Sequence, residues 1–206
     1  MNRLCGLIIS LSVYCLAIAN NVTTNYSKGT YHTSKSAVAD ADFNSCSRII
    51  DDFIFQLQTN PEQLFTWAFK GLGQTHKDDG SDDIVMTINN VSYDADSAKS
   101  VLNVNLAMSN GLVLRNRELK SYVNDKNYGD SLRVIAVDFY YSGSLLKKAD
   151  GTFRLLALND RQTEIDLDIN IRFGWFFNIF ITQRRYRNVM EWRIDKFVEN
   201  IVESSK

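Results

Sequence analysis

The clearest structural signal in this chain is the segment Glu164-Ile165-Asp166-Leu167-Asp168-Ile169-Asn170-Ile171-Arg172-Phe173. Its polar and apolar residues alternate without interruption. Because successive side chains of a β-strand point to opposite faces of the sheet, the alternation predicts a strand with one buried face and one hydrated face. A sheet built from such strands needs another element to cover its apolar face.

A second strand with the same period of two lies upstream. Its alternating apolar residues are Leu102, Val104, Leu106 and Met108. A three-residue loop, Ser109-Asn110-Gly111, would place Leu106 opposite Leu114, whereas a two-residue loop, Asn110-Gly111, would place Leu106 opposite Arg115. Only the three-residue loop keeps one face apolar, so we predict that register.

Other signals divide the remaining sheet region. A phase slip at Asn89-Asn90, in a strand that begins at Ile84, predicts a β-bulge. The polar residues 122–130 predict a loop, and Asp150-Gly151 and Asn159-Asp160 predict tight turns.

Apolar stripes at helical spacing flank the sheet region. The first stripe consists of Cys46, Ile49, Ile50, Phe53 and Leu57 and predicts a helix over residues 43–58. Asn60 as N-cap and Pro61 as first helical residue predict a second short helix. Asn188 and Glu191 have capping-box spacing and predict a terminal helix that runs to about residue 203. We therefore predict an α+β fold: an antiparallel sheet of about five to seven strands, with two short N-terminal helices and a long C-terminal helix on one face.

The composition is that of an ordinary folded domain. The chain has 206 residues, of which 45% are hydrophobic and 23% charged, and 23 basic residues face 24 acidic ones. The apolar content and low net charge argue against disorder, and three cysteines are too few for a disulfide scaffold. The balanced charge argues against a nucleic-acid partner held by bulk attraction.

The N-terminal segment has the pattern of a secretory signal peptide. A basic Met1-Asn2-Arg3 precedes an apolar run over residues 4–16 and a small-residue site, Ala17-Ile18-Ala19. We expect cleavage after Ala19 and a secreted or periplasmic protein, with a retained anchor and a lipidated Cys15 as less supported alternatives. Residues 20–42 are predicted to form a mobile leader in which a short strand is possible, and residues 43–206 a single domain.

The order of elements resembles the helix-grip fold of the START and plant-allergen-like lipid-binding superfamily. Asn60-Pro61-Glu62 followed by Trp67 looks like the short-helix corner of such proteins, and the resemblance covers about residues 26–203. It implies that an apolar ligand is enclosed between the curved sheet and the final helix. The resemblance assigns no functional residue.

Catalytic and metal-binding patterns are weak. The two histidines, His32 and His76, lack metal-ligand spacing, and the sequence contains no nucleophile elbow or phosphate-binding glycine motif. Asp166 and Asp168 are too far apart on one strand to enclose an ion without further ligands. We expect no catalytic residue, no cofactor and no metal.

The most unusual segment places aromatic residues beside arginines. We predict ligand-binding residues here: Trp175, Phe176, Phe177, Phe180, Arg184, Arg185 and Arg187. Aromatic rings enter an apolar zone while guanidinium groups meet anions, as at a membrane interface or around an anionic amphiphile. The alternative interpretation is that the rings fill the core and the arginines pair with acidic residues.

The leading functional hypothesis is a non-catalytic binding module for a small apolar or amphipathic ligand. Its predicted cavity residues also include Leu102, Val104, Leu106, Phe139, Tyr141 and Ile169. The alternative is a structural or interaction protein of the cell envelope that uses the aromatic and arginine surface to meet a membrane or another protein, and a hydrolytic enzyme is third. A closed apolar cavity of roughly 300 Å³ would favour the first, and a filled core with an exposed aromatic patch the second.

Overall fold

The computed structural model describes residues 22–59, 84–94, 96–108, 113–179 and 181–205. The strands in these ranges are β1 (Thr23–Ser27), β2 (Thr30–Ala39), β3 (Ile84–Asp94), β4 (Lys99–Met108), β5 (Val113–Asn127), β6 (Leu132–Tyr141), β7 (Leu146–Asn159) and β8 (Gln162–Phe173). The helices are α1 (Phe43–Thr59), α2 (Trp175–Asn178) and α3 (Gln183–Ser204). The predicted second N-terminal helix, beginning at Pro61, lies outside the described residues.

All the described strands belong to one antiparallel sheet in the order β1-β2-β8-β7-β6-β5-β4-β3. The predicted α+β class, with an antiparallel sheet and a C-terminal helix, is confirmed. The sheet has eight strands, however, which is more than the five to seven predicted.

The difference comes from residues 23–39, for which the prediction of a mobile leader is wrong. These residues form the β1–β2 hairpin, and β2 pairs with β8 from Tyr31↔Ile171 to Ala39↔Thr163. The hairpin turn at Lys28 and Gly29 has positive φ at both residues, 50° and 79°, as a tight two-residue turn requires. The strand pattern is hidden in the sequence because the inward face of β2 carries small and polar residues as well as Tyr31.

Two predictions in the middle of the sheet are also wrong. β5 continues to Asn127 through residues predicted to form a loop, and the chain turns at residues 142–145, so that Asp150-Gly151 lies within β7. A Cβ on Gly151 would lie 3.2 Å from the backbone oxygen of Asp168 on β8. The glycine therefore allows two strands to approach closely and does not mark a turn.

The predicted bulge and register are confirmed. The β3–β4 register shifts between Ile88 and Asn90, and Leu106 pairs with Leu114. The predicted turn after Asn159 is confirmed too, because β8 begins at Gln162.

The buried apolar residues form two clusters on the face of the sheet covered by α1 and α3, which we call the inner face. The first core cluster consists of Ala39, Ala41, Phe43, Cys46, Ile50, Ile135, Phe153, Leu155, Ile165, Val198 and Ile201. The second core cluster consists of Val91, Val104, Leu119 and Leu145, with partly buried Phe53, Leu102, Leu114, Phe139, Leu146, Phe173 and Ile181 around them. α3 contacts β2 and β1 and begins at Gln183, ahead of the predicted capping box.

Candidate functional site

A pocket of about 310 Å³ opens at the end of the sheet where β5 begins and β6 turns into β7. Its lining residues are Leu114, Asn116, Arg117, Glu118, Tyr141, Ser142, Gly143, Ser144 and Leu145. The volume reaches the size of a small-molecule site, but the pocket is open and carries many polar groups, so it is not a closed apolar cavity.

The floor of the pocket touches the core. Leu145 is buried in the second core cluster, and Leu114 packs against that cluster. A molecule in the pocket would therefore lie against apolar residues that continue toward Val104, which is fully buried, and Phe139.

The β6–β7 turn is fixed by hydrogen bonds to both sides. Ser142 Oγ donates to the backbone oxygen of Leu146 at 2.9 Å, and the Gly174 N–H donates to the oxygen of Leu145 at 3.0 Å. A Cβ on Gly174 would lie 2.1 Å from the backbone oxygen of Ser144, closer than any Cβ can come. The end of β8 thus holds one wall of the pocket in place.

Polar groups of β5 form the opposite wall. The backbone N–H of Asn116, a residue with a φ of 52°, donates to Asn105 Oδ1 at 2.9 Å beside a bulge in the β4–β5 ladder. Glu118 pairs with Lys120 at 3.1 Å and raises the pKa of that lysine. Arg117 is exposed and has no ion-pair partner in the described part of the chain. This guanidinium is available to an anionic group in the pocket.

The predicted cavity residues are divided between core and pocket. Leu102 and Phe139 are half-buried in the second core cluster, and Ile169 is half-buried opposite Gly151. Tyr141 lines the pocket and is 51% exposed. The side chain of Leu106 lies outside the described residues.

None of the predicted aromatic and arginine residues that the structure describes lines this pocket. Trp175 is 79% exposed on α2, and Arg184 and Arg187 are exposed on α3. Phe180 and the side chains of Phe176, Phe177 and Arg185 lie outside the described residues. The pocket residues of the turn were missed, although Ser142-Gly143-Ser144 is itself a turn signal.

A buried arginine fastens α1 to the sheet. Arg133 on β6 donates to both carboxylate oxygens of Asp125, at 3.0 and 2.6 Å, and to Ser47 Oγ on α1 at 2.8 Å. It also pairs with Asp51 on α1 at 2.7 Å. Hydrogen bonding to Asp125 raises the pKa of Arg133 above its ordinary value. This charge is fully engaged and is not available to a ligand.

An ion pair and a stacked tyrosine attach α3 to β2. Lys35 is buried and its Nζ lies 2.5 Å from Asp195 Oδ1. The ring of Tyr186 stacks on Tyr31 at 3.9 Å between centroids, and its hydroxyl lies 3.1 Å from Thr33 Oγ1. Burial raises the pKa of Tyr186 to about 12.

The outer face of β8 is a solvated polar surface, as the sequence predicts. Arg154 pairs with Asp166 and Glu164, and Asn170 lies 2.6 Å from His32 Nδ1 and donates to Asp150 at 2.7 Å. Within the described residues no cluster of three or more His, Cys, Asp and Glu side chains could hold a metal ion. No helix in the described ranges is long and apolar enough to cross a membrane.

Several solved structures have the same architecture. A START superfamily protein from Mycobacterium smegmatis matches with a TM-score of 0.50 and 12% identity, over 84% of this chain and 96% of that chain. A conserved protein from Geobacillus kaustophilus matches with a TM-score of 0.50 and 13% identity, over 84% and 93%. The di-domain ARO/CYC StfQ from the steffimycin biosynthetic pathway matches with a TM-score of 0.52 and 6% identity, over 85% of this chain and 50% of that chain.

No protein-family model matches the chain, and no curated protein matches its sequence. The structural matches confirm the predicted resemblance at the level of the fold: the chain has the helix-grip fold. The large antiparallel sheet and the C-terminal α3 are the elements that define it here.

Proposed function

We propose that the protein binds a small amphipathic molecule through the pocket beside the second core cluster. The observation that carries the proposal is the contact between this open pocket and the buried Leu145 inside a helix-grip fold. The apolar part of the ligand would lie against Leu114 and Leu145, and an acidic group would meet Arg117. Burial of apolar surface would supply most of the affinity.

The test is a fluorescence titration with anilinonaphthalene sulfonate, an anionic apolar probe. We expect saturable binding to the full protein, and Ser144→Trp should weaken it at least about tenfold because the new ring occupies the pocket. Ser131→Trp is the matched control, since Ser131 is an exposed turn serine at the other end of the sheet. Equal affinity of both variants and the wild type would contradict the proposed site.

We further propose that the native protein is secreted or periplasmic and acts without catalysis. Mass spectrometry of protein purified from its own cells should find a polypeptide that begins at Asn20 and a copurifying amphipathic compound. A polypeptide that retains residues 1–19 would contradict the proposed location.

The exposed residues of α2 support a second candidate function at an envelope surface. Trp175 is 79% and Ile179, directly after α2, 65% exposed, and the exposed Arg184 and Arg187 follow on α3. Such a surface suits anionic lipid. Sedimentation with phosphatidylglycerol vesicles should then be lost in Trp175→Ala and kept in Tyr128→Ala, an exposed aromatic at the far end of the sheet. If the wild type does not sediment with the vesicles, this candidate is excluded.

A further inference from the structure

One buried hydroxyl on the inner face of the sheet lacks a hydrogen-bond partner among the residues that the structure describes. Ser121 is 1% exposed, and no hydrogen bond from the described ranges reaches its Oγ. An unsatisfied buried hydroxyl costs stability, so such a group calls for a specific explanation.

The position of Ser121 links it to both core clusters. Leu119, two residues before it on the same face of β5, belongs to the second core cluster, and Val123, two residues after it, packs against the first. Ser121 pairs with Ser100 on β4 and with Phe139 on β6. The hydroxyl therefore lies at the junction of the two clusters.

Small residues flank the Ser121–Phe139 pair and its neighbour Val137 on the inner face. Ser100 is buried, Ala149 pairs with Phe139, and Gly151 pairs with Val137 on β6. Large side chains are absent from these three positions. A row of small residues alone is common in sheets, but here it includes a buried hydroxyl to which the described residues offer no hydrogen-bond partner.

Two buried basic side chains elsewhere on the inner face are already engaged. Lys35 pairs with Asp195, and Arg133 with Asp125 and Asp51. Ser121 can therefore form a hydrogen bond with a neutral polar group of a ligand. A charged group of the ligand would find no free counter-ion among these paired residues.

We infer that Ser121 is the inner anchor of the ligand, and that it exchanges a hydrogen bond with a neutral hydroxyl or carbonyl oxygen at the ligand's buried end. This inference rests on the proposed function. Arg117 lies four residues earlier on the same strand, which corresponds to about 13 Å along a β-strand. The ligand class is therefore an elongated apolar molecule with an acidic group at one end and a neutral oxygen at the other.

The test compares laurate with ω-hydroxylaurate on the full protein by isothermal titration calorimetry. Wild type should prefer ω-hydroxylaurate by roughly 3- to 10-fold, the size of one net hydrogen bond. Ser121→Ala should lose this preference and bind laurate as wild type does, and Ser121→Thr, which keeps a hydroxyl, should retain it. Ser92→Ala, an exposed serine of β3, is the matched control and should behave as wild type.

A second readout is the melting temperature without ligand. Ser121→Ala should raise it by about 2 °C or more, because the substitution removes an unsatisfied hydroxyl. A lower melting temperature, or an unchanged preference for ω-hydroxylaurate in Ser121→Ala, would overturn the anchor while leaving the pocket intact. Failure of the wild type to bind either probe would overturn the proposed function and this inference with it.

Discussion

A single glycine determines how closely the β6–β7 turn approaches the end of β8. Gly174 donates its N–H to Leu145, and the backbone oxygen of Ser144 lies where a Cβ of residue 174 would stand. The obstacle is backbone and not a flexible side chain, so a larger residue must displace the turn itself. The same turn forms one wall of the pocket.

We predict that Gly174→Ala lowers the free energy of unfolding by at least about 2 kcal/mol and weakens binding of anilinonaphthalene sulfonate. Gly129→Ala is the control, because its Cβ would meet nothing within 4 Å and its cost of about 1 kcal/mol comes only from the positive φ of 71°. Urea denaturation measures the free energy of unfolding of both variants. Equal losses would show that the close approach to Ser144 does not constrain the fold.

At the scale of elements, α3 is attached to β2 by mixed polar and aromatic contacts. The ring of Tyr186 stacks on Tyr31, and its buried hydroxyl is hydrogen-bonded to Thr33. The hydroxyl of Thr33 is in turn hydrogen-bonded to that of Thr24 on β1, with 3.1 Å between the oxygens. Deprotonation of Tyr186 would place a charge in this network.

We predict that Tyr186 makes the protein sensitive to alkali. Its pKa is about 12 in the folded protein against an ordinary 10.0, so the folded state favours the neutral phenol. The difference between the two pKa values contributes on the order of 2–3 kcal/mol to the free energy of unfolding. This contribution is fully present below about pH 10 and is lost as pH rises through about 12.

The measurement is the unfolding free energy of wild type and Tyr186→Phe across this range. The phenylalanine variant should be less stable near neutral pH, by about 1 kcal/mol for the lost hydrogen bond, and should become more stable than wild type as pH rises through about 12, because wild type then loses the larger amount. Tyr128→Phe, at an exposed position, should show no such crossing. A constant difference between wild type and Tyr186→Phe would contradict the prediction.

At the scale of the whole molecule, the sequence predicts those parts of the fold in which one strand face is apolar. The Leu106↔Leu114 register follows because a slip would place Arg115 on the buried face. β2 could not be found this way, because the burial of Thr33 and Lys35 depends on α3, which is distant in the chain.

The candidate site was only partly predictable for the same reason. Tyr141 was expected to line a cavity and lines the pocket, but Arg117 and Ser144 reach it only because a bulge and a turn meet at one end of the sheet. Ser121 looks like an ordinary strand residue in the sequence. Its missing hydrogen bond is visible only once the neighbouring strands are in place.

The pairing of β2 with β8 has a consequence for biosynthesis. Lys35 and its partner Asp195 are 160 residues apart in the chain, so the ribosome makes β1 and β2 long before the residues that bury them. Until then the nascent hairpin offers an open edge to other chains, which favours aggregation. Any product that terminates before β8 keeps that edge permanently and should accumulate as insoluble material.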